Sequence, residues 1–98
     1  VRLADGRVCA LGAVFTIPES VPASPLAAHL GCAFDDGPLL PAIRVDAMRQ
    51  TTVPGVYAAG DAASPMHSVT LAIAAGVIAG AGAHQSLVAE AAGGAPAR

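Results

Sequence analysis

The sequence has no lysine and no tryptophan, only three aromatic residues, and charged groups at 12% of its positions. All five basic side chains are arginines, scattered at positions 2, 7, 44, 49 and 98. Without a basic cluster or interleaved aromatics, nucleic acid is excluded as an expected partner, because phosphate binding needs clustered cations. The two cysteines, Cys9 and Cys32, lie 23 positions apart. That spacing excludes a Cys-x-x-Cys redox pair, and no metal-ligand spacing links them to His29, His67 or His84. Two free thiols in a reducing cytoplasm are expected instead. No basic-then-apolar segment resembling a signal peptide opens the sequence.

What is present is apolar. Hydrophobic residues make up 54% of the 98 positions, while charge is about half of the ~25% usual for a soluble domain. A chain of this length is at most one domain and should bury about 60–65% of its unfolded surface. A small domain has proportionally more surface and should be more polar, not less. Together with Val1 in place of an initiating Met, this reads as a piece of something larger, whose surface is either covered by more protein or meets lipid.

The order of elements follows from turn chemistry and apolar runs. Val1–Leu3, an Asp5-Gly6 turn and a longer strand from Val8 to Ile17 read as a hairpin. Pro18, Pro22 and Pro25 forbid a regular element between them. Ser24 as N-cap and Pro25 at the first helical position start a short helix, Leu26 to Leu30, which Gly31 ends. Asp35-Asp36-Gly37-Pro38 reads as a turn, and 42–46 as a strand. Met48 to Thr52 is a connecting loop, and Val53-Pro54-Gly55 a second turn. Val56-Tyr57-Ala58-Ala59 is continuous and apolar, as in a parallel strand covered on both faces. A long small-residue helix follows from Ser68 to about Ala91, and Gly93-Gly94-Ala95-Pro96 is a frayed tail.

The chemistry concentrates after the apolar strand. A buried strand ending in Gly60-Asp61 and followed by a helix opens a crevice at the carboxyl edge of a sheet, where ligands bind in open α/β folds. Gly60 lets a ligand approach the backbone, and Asp61 can accept hydrogen bonds from polyol hydroxyls. The helix start offers free N–H groups and a positive dipole end. Gly76, Gly80 and Gly82 each cost a helix about 1 kcal/mol relative to alanine, which predicts a close approach to a sheet or a cofactor.

Thr51 or Thr52, then Pro54, Gly55, Val56, Tyr57, Ala58, Gly60 and Asp61, followed by His67-Ser68-Val69 and the small-residue helix, resemble the second flavin motif of the FAD-dependent pyridine nucleotide–disulfide oxidoreductases, thioredoxin reductase-like branch. The resemblance implies an α/β fold, a partial FAD/NAD(P)-binding (Rossmann-like) domain. Residues 1–17 would be the hairpin ending the NAD(P)-binding domain, and 18–98 the C-terminal part of the FAD-binding domain. It implies a cofactor-binding set of Gly60, Asp61, Ala62, His67, Ser68 and Val69, with Asp61 on the ribitol and the helix start beside the isoalloxazine edge. No catalytic residue and no metal ligand is assigned.

The complete protein would use FAD and NAD(P)H, form a homodimer and work in the cytoplasm, away from membranes. Both G-x-G-x-x-G fingerprints are missing from the 98 residues, so the rest of the flavoprotein, or a partner subunit, must carry them. The alternative is a non-catalytic small subunit or degenerate fragment that completes a partner flavoprotein. A membrane-associated helical protein is a third reading. Its uncharged run, Val69 to Ala83, is shorter than the ~20 residues that spanning needs, and His84-Gln85-Ser86 interrupts it.

Bland roles compete residue by residue. His67 reads equally as a solvated loop histidine, His29 and His84 as helix-end residues, and Tyr57 as core. Arg44 and Arg49 read as solvated arginines rather than phosphate ligands.

Overall fold

In the computed structural model, which describes residues 1–36 and 41–93, the chain is extended. It measures 66 × 25 × 18 Å with a radius of gyration of 18.2 Å, against about 13 Å for a compact domain of this length. The chain alone therefore does not form the modest self-contained core that its length predicts.

The N-terminal arm forms a much shorter hairpin than the sequence suggests. Asp5-Gly6 does turn the chain, with Gly6 at φ +90°, Gly6 N donating to Leu3 O at 3.0 Å, and Cys9 N to Val1 O at 2.8 Å. Arg2 bridges Val8. Beyond Cys9 the expected strand to Ile17 is not formed: Phe15 is 98% exposed and Ile17 82%. A strand needs a neighbour for its backbone donors and acceptors, and no described segment lies alongside.

Helix α1 spans Leu26–His29. Ser24 Oγ accepts from Leu26 N at 3.2 Å, so the expected cap operates, although Pro25 falls one place before the first helical residue. Gly31, at φ +88°, ends the helix. Gly31 N donates to Ala28 O at 3.1 Å and Cys32 N to Ala27 O at 3.0 Å, the paired bonds of a Schellman stop.

Strands β1 (Phe34–Asp35) and β2 (Ala42–Ile43) pair antiparallel, Phe34 opposite Ile43 and Asp35 opposite Ala42. Asp35 therefore belongs to a strand rather than to a turn, and an ion pair with Arg44 at 2.7 Å straddles the edge. Gly37 and Pro38 of the expected turn lie outside the described residues. The expected strand over 42–46 is interrupted: β2 stops at Ile43 and Val45 pairs separately with Thr51.

Where a plain loop was expected, residues 46–50 make a tight hairpin. Asp46 Oδ1 accepts from Met48 N at 2.9 Å and Gln50 N at 3.0 Å, and Arg49 closes the turn at φ +67°. Val53-Pro54-Gly55-Val56 has the residues and the positive φ (+83°, Gly55) of a type II turn, closed by Val56 N to Val53 O at 3.1 Å.

The expected parallel strand Val56–Ala59 is the largest correction. Only Tyr57 pairs, in an isolated antiparallel bridge to Gln50. The segment's apolar character matches a strand with both faces covered, yet its four residues are only half-buried. A parallel strand acquires its ladder from strands that no described residue supplies.

Helix α2 spans Val69–Ala91, with Ser68 at the N-cap position, as its composition predicts. It buries a narrow stripe, Ala75, Gly82 and Ser86. A Cβ at Gly82 would lie 2.9 Å from Met48 O and 3.2 Å from Tyr57 Cε2, so Gly82 does answer the predicted close approach. A Cβ at Gly76 or Gly80 meets nothing within 4 Å among the described residues. The opposite flank carries Val69, Ile73, Val77 and Leu87, each more than 60% exposed. By length and composition α2 could cross a membrane.

The buried set is small: Cys32, Ala42, Ala63 and Ala75, with Gln50, Thr51 and Ser86 as polar members. Gly82 of α2 packs against Met48 and Tyr57, and α2 and β2 both contact the turn over Gly60–Ala63.

Candidate functional site

Ala59 is fully extended (φ −151°, ψ 171°), and the chain then folds into a single 3₁₀ turn over Gly60–Ala63. The reversal is made at Gly60, whose φ of +77° lies in the left-handed region that glycine adopts without steric cost. Ala63 is buried beneath the turn, which leaves Asp61 and Ala62 exposed above it. Ser64 fixes the exit: its Oγ donates to Met66 O at 2.8 Å and accepts from Met66 N at 3.1 Å. His67 follows, and Ser68, extended at φ −154°, feeds α2 with no side-chain cap on its first N–H groups. Those donors are free for water or for a ligand.

Three concavities surround this turn. One of 290 Å³ is lined by Asp61, His67, Ser68, Val69 and Ala72. A groove of 660 Å³ is lined by Asp61, Ala62 and His67 together with Val21, Phe34 and Ile43. A small one of 110 Å³ lies behind the turn, touching Arg49, Gly60 and Asp61. The six residues singled out from the sequence thus all line concavities that meet at Asp61. His67 Nδ1 stands 3.9 Å from Asp61 Oδ2, with both side chains substantially exposed.

The sequence reading missed the outer wall of the groove. Residues 19–24 have no chemical signature of their own, and only the fold brings them into the groove that Asp61 lines. It also set Arg49 aside as solvated. In the structure Arg49 Nε is buried without a partner on a left-handed backbone. Arg44 is exposed and paired to Asp35. Among the described residues no group of His, Cys, Asp or Glu is placed to hold a metal ion.

The donor set fits one end of a dinucleotide better than the other. The Asp61 carboxylate suits hydroxyl donors, and the uncapped N–H groups of α2 suit a carbonyl-bearing ring edge. With Glu19 and Asp61 both on the groove and no arginine or lysine among its lining residues, a pyrophosphate would be repelled there. These residues therefore suit polyol hydroxyls and a carbonyl-bearing ring edge rather than a pyrophosphate.

The chain shares its fold with part of a solved structure, the crystal structure of the oxidoreductase from Agrobacterium tumefaciens. The two are 45% identical with a TM-score of 0.74, over 88% of this chain. The chain spans only 29% of the length of that oxidoreductase chain. No protein-family model matches, and no curated protein does.

Proposed function

We propose that this chain is the FAD-binding C-terminal portion of an NAD(P)H-dependent flavoprotein oxidoreductase of the thioredoxin reductase-like kind. One observation carries the reading: the turn at Gly60 sets the Asp61 carboxylate at the meeting point of three concavities, one of them shared with the start of α2. The 45% identity to an oxidoreductase over 88% of the chain supports the class. The extended shape supports its being one part of a larger core.

In this reading Asp61 accepts hydrogen bonds from the ribitol chain, and the backbone at Ser68 and Val69 faces the pyrimidine edge of the flavin. His67 and Ala62 complete that wall. Bound FAD would supply hydride and electron transfer between NAD(P)H and an acceptor, and the residues here bind, orient and set the local charge. The phosphates, the nicotinamide nucleotide and the other face of α2 are served by the remainder of the protein or by a partner subunit. A homodimer in the cytoplasm belongs to the same proposal, as does a domain boundary near residue 17.

Asp61→Ala in the full-length polypeptide tests it. Charge-assisted hydrogen bonds contribute about 1.5–3 kcal/mol each, so FAD affinity should fall about tenfold or more. Flavin content after purification, read by visible absorbance, should drop accordingly. Unchanged content would refute the assignment. The denatured mass of the native polypeptide separates a single-chain flavoenzyme from the alternative of a small subunit that completes a partner.

A further inference from the structure

We propose that Arg49 anchors an acidic side chain from the rest of the polypeptide, an Asp or Glu that enters the cavity behind the Gly60 turn and fixes that turn against the larger protein. The inference rests on the chain being one part of a longer protein, and not on the FAD assignment. Arg49 is half-buried, and its Nε is buried without a hydrogen-bond partner. The ion pairs among the described residues are Arg7–Asp5, Arg44–Asp35 and His67–Asp61, and none engages it. A guanidinium does not lose its charge in a protein, and a buried N–H left unpaired costs stability. The backbone adds to that cost. Arg49 sits at φ +67°, a region that side chains other than Asn, Asp and His seldom occupy. A position that carries both penalties is held by something its side chain meets.

The cavity selects the chemistry. It has a volume of 110 Å³ and is lined by Arg49, by Gly60 and Ser64 of the turn, and by Leu71, Ala72 and Ala75 of α2. That is about the liquid volume of three to four waters, and a carboxylate with its methylene has four heavy atoms of similar size. The walls are mostly apolar, so a free oxyanion or a cluster of waters would find few polar partners beyond the guanidinium. A carboxylate on an aliphatic stem is matched at both ends: its head takes the fixed fork of Arg49, and its methylene lies against the leucine and the alanines. Asp61 also lines the cavity, but its carboxylate serves the two concavities on the ligand side as well. The rest of the polypeptide is the source. This chain spans only 29% of the length of the oxidoreductase that it matches, and on the same helix Val69, Ile73 and Val77 are each more than 60% exposed.

The test is urea unfolding of the full-length polypeptide with two isosteric variants, Arg49→Asn and Arg49→Asp. Both side chains accept a left-handed backbone, so the variants differ in charge. Arg49→Asn should lower the urea midpoint, because the carboxylate loses its partner. Arg49→Asp should lower it by about 0.5–1 M more, because two carboxylates then share the cavity. The same gap should remain in an Asp61→Asn background, which neutralises the acidic group that this chain itself places on the cavity. Arg49→Lys keeps the charge and should unfold at a higher midpoint than Arg49→Gln. This second pair decides the question where the first yields no folded protein.

Equal midpoints for Arg49→Asn and Arg49→Asp, or for Arg49→Lys and Arg49→Gln, overturn the proposal, and so does an Arg49→Asn protein as stable as wild type. A gap that vanishes in the Asp61→Asn background makes Asp61 the partner and overturns it equally. A native polypeptide of only 98 residues removes the source of the carboxylate along with the reading of the chain as part of a longer protein. Flavin content in Asp61→Ala, by contrast, bears on the FAD assignment alone.

Discussion

Gly82 is where the packing of this chain can be tested most sharply. It is buried in α2, and a methyl group there would stand 2.9 Å from the Met48 carbonyl oxygen, 3.2 Å from Tyr57 Cε2 and 3.5 Å from Met48 Cβ. The first contact is with backbone, in a hairpin already held by Asp46, so the obstacle cannot rotate aside. Helix propensity favours Gly82→Ala by about 1 kcal/mol, but overpacking a close contact costs about 1–3 kcal/mol. Pushing α2 outward also lengthens the bond that Tyr57 Oη–H donates to Gly82 O, now 3.3 Å, at about 0.5–1 kcal/mol. The balance is a net loss of about 1–2 kcal/mol. Gly80→Ala is the comparison: a Cβ there meets nothing within 4 Å among the described residues, so unless the rest of the protein covers that flank it should gain about 1 kcal/mol. Urea unfolding of the two variants in the full-length polypeptide should therefore separate them by about 2–3 kcal/mol at unchanged slope. Equal stabilisation by both would refute the close crossing of α2 over the hairpin. A loss at Gly80 alone would mean that the open flank of α2 is the tightly covered one.

Two further substitutions probe the hairpins that carry the site. Arg49→Gly removes a left-handed strain of about 1–2 kcal/mol and an orphaned buried Nε, offset by the ~0.5–1 kcal/mol entropy of a new glycine. These terms alone give a net gain of about 0.5–1 kcal/mol; with the carboxylate partner of Arg49 a clear loss is expected in urea unfolding instead, and a gain would show that the side chain has no such partner in the full-length protein. Thr51→Val keeps the shape of a residue that is 3% exposed but removes the hydroxyl that accepts from Val53 N at 3.1 Å and donates to Val53 O at 3.2 Å. It should lose about 1–2 kcal/mol, and a neutral result by the same assay would remove the hydroxyl from the account of the turn. The tenfold loss of flavin affinity expected of Asp61→Ala is the most direct test of function.

What the sequence determined by itself was local. The Gly31 stop, the Asp5-Gly6 and Pro54-Gly55 turns and the span of α2 follow from backbone preferences that hold wherever the residues sit. Gly60-Asp61 was read as the end of a covered strand that lets a ligand near the backbone, and the left-handed reversal at Gly60, φ +77°, was not anticipated. What depends on partners was not legible. The strand expected over residues 8–17 and the parallel strand over 56–59 have the right residues, but a ladder exists only where a second strand supplies its other half. Gly76, Gly80 and Gly82 look alike in sequence, and only the crossing of α2 over Met48 and Tyr57 tells Gly82 from the other two. The same holds at the site. Composition names Asp61 and His67 as polar residues near a helix start. Tertiary structure alone sets them 3.9 Å apart and brings residues 19–24 into the same groove, because proximity between segments more than thirty residues apart is decided by packing and not by any local preference.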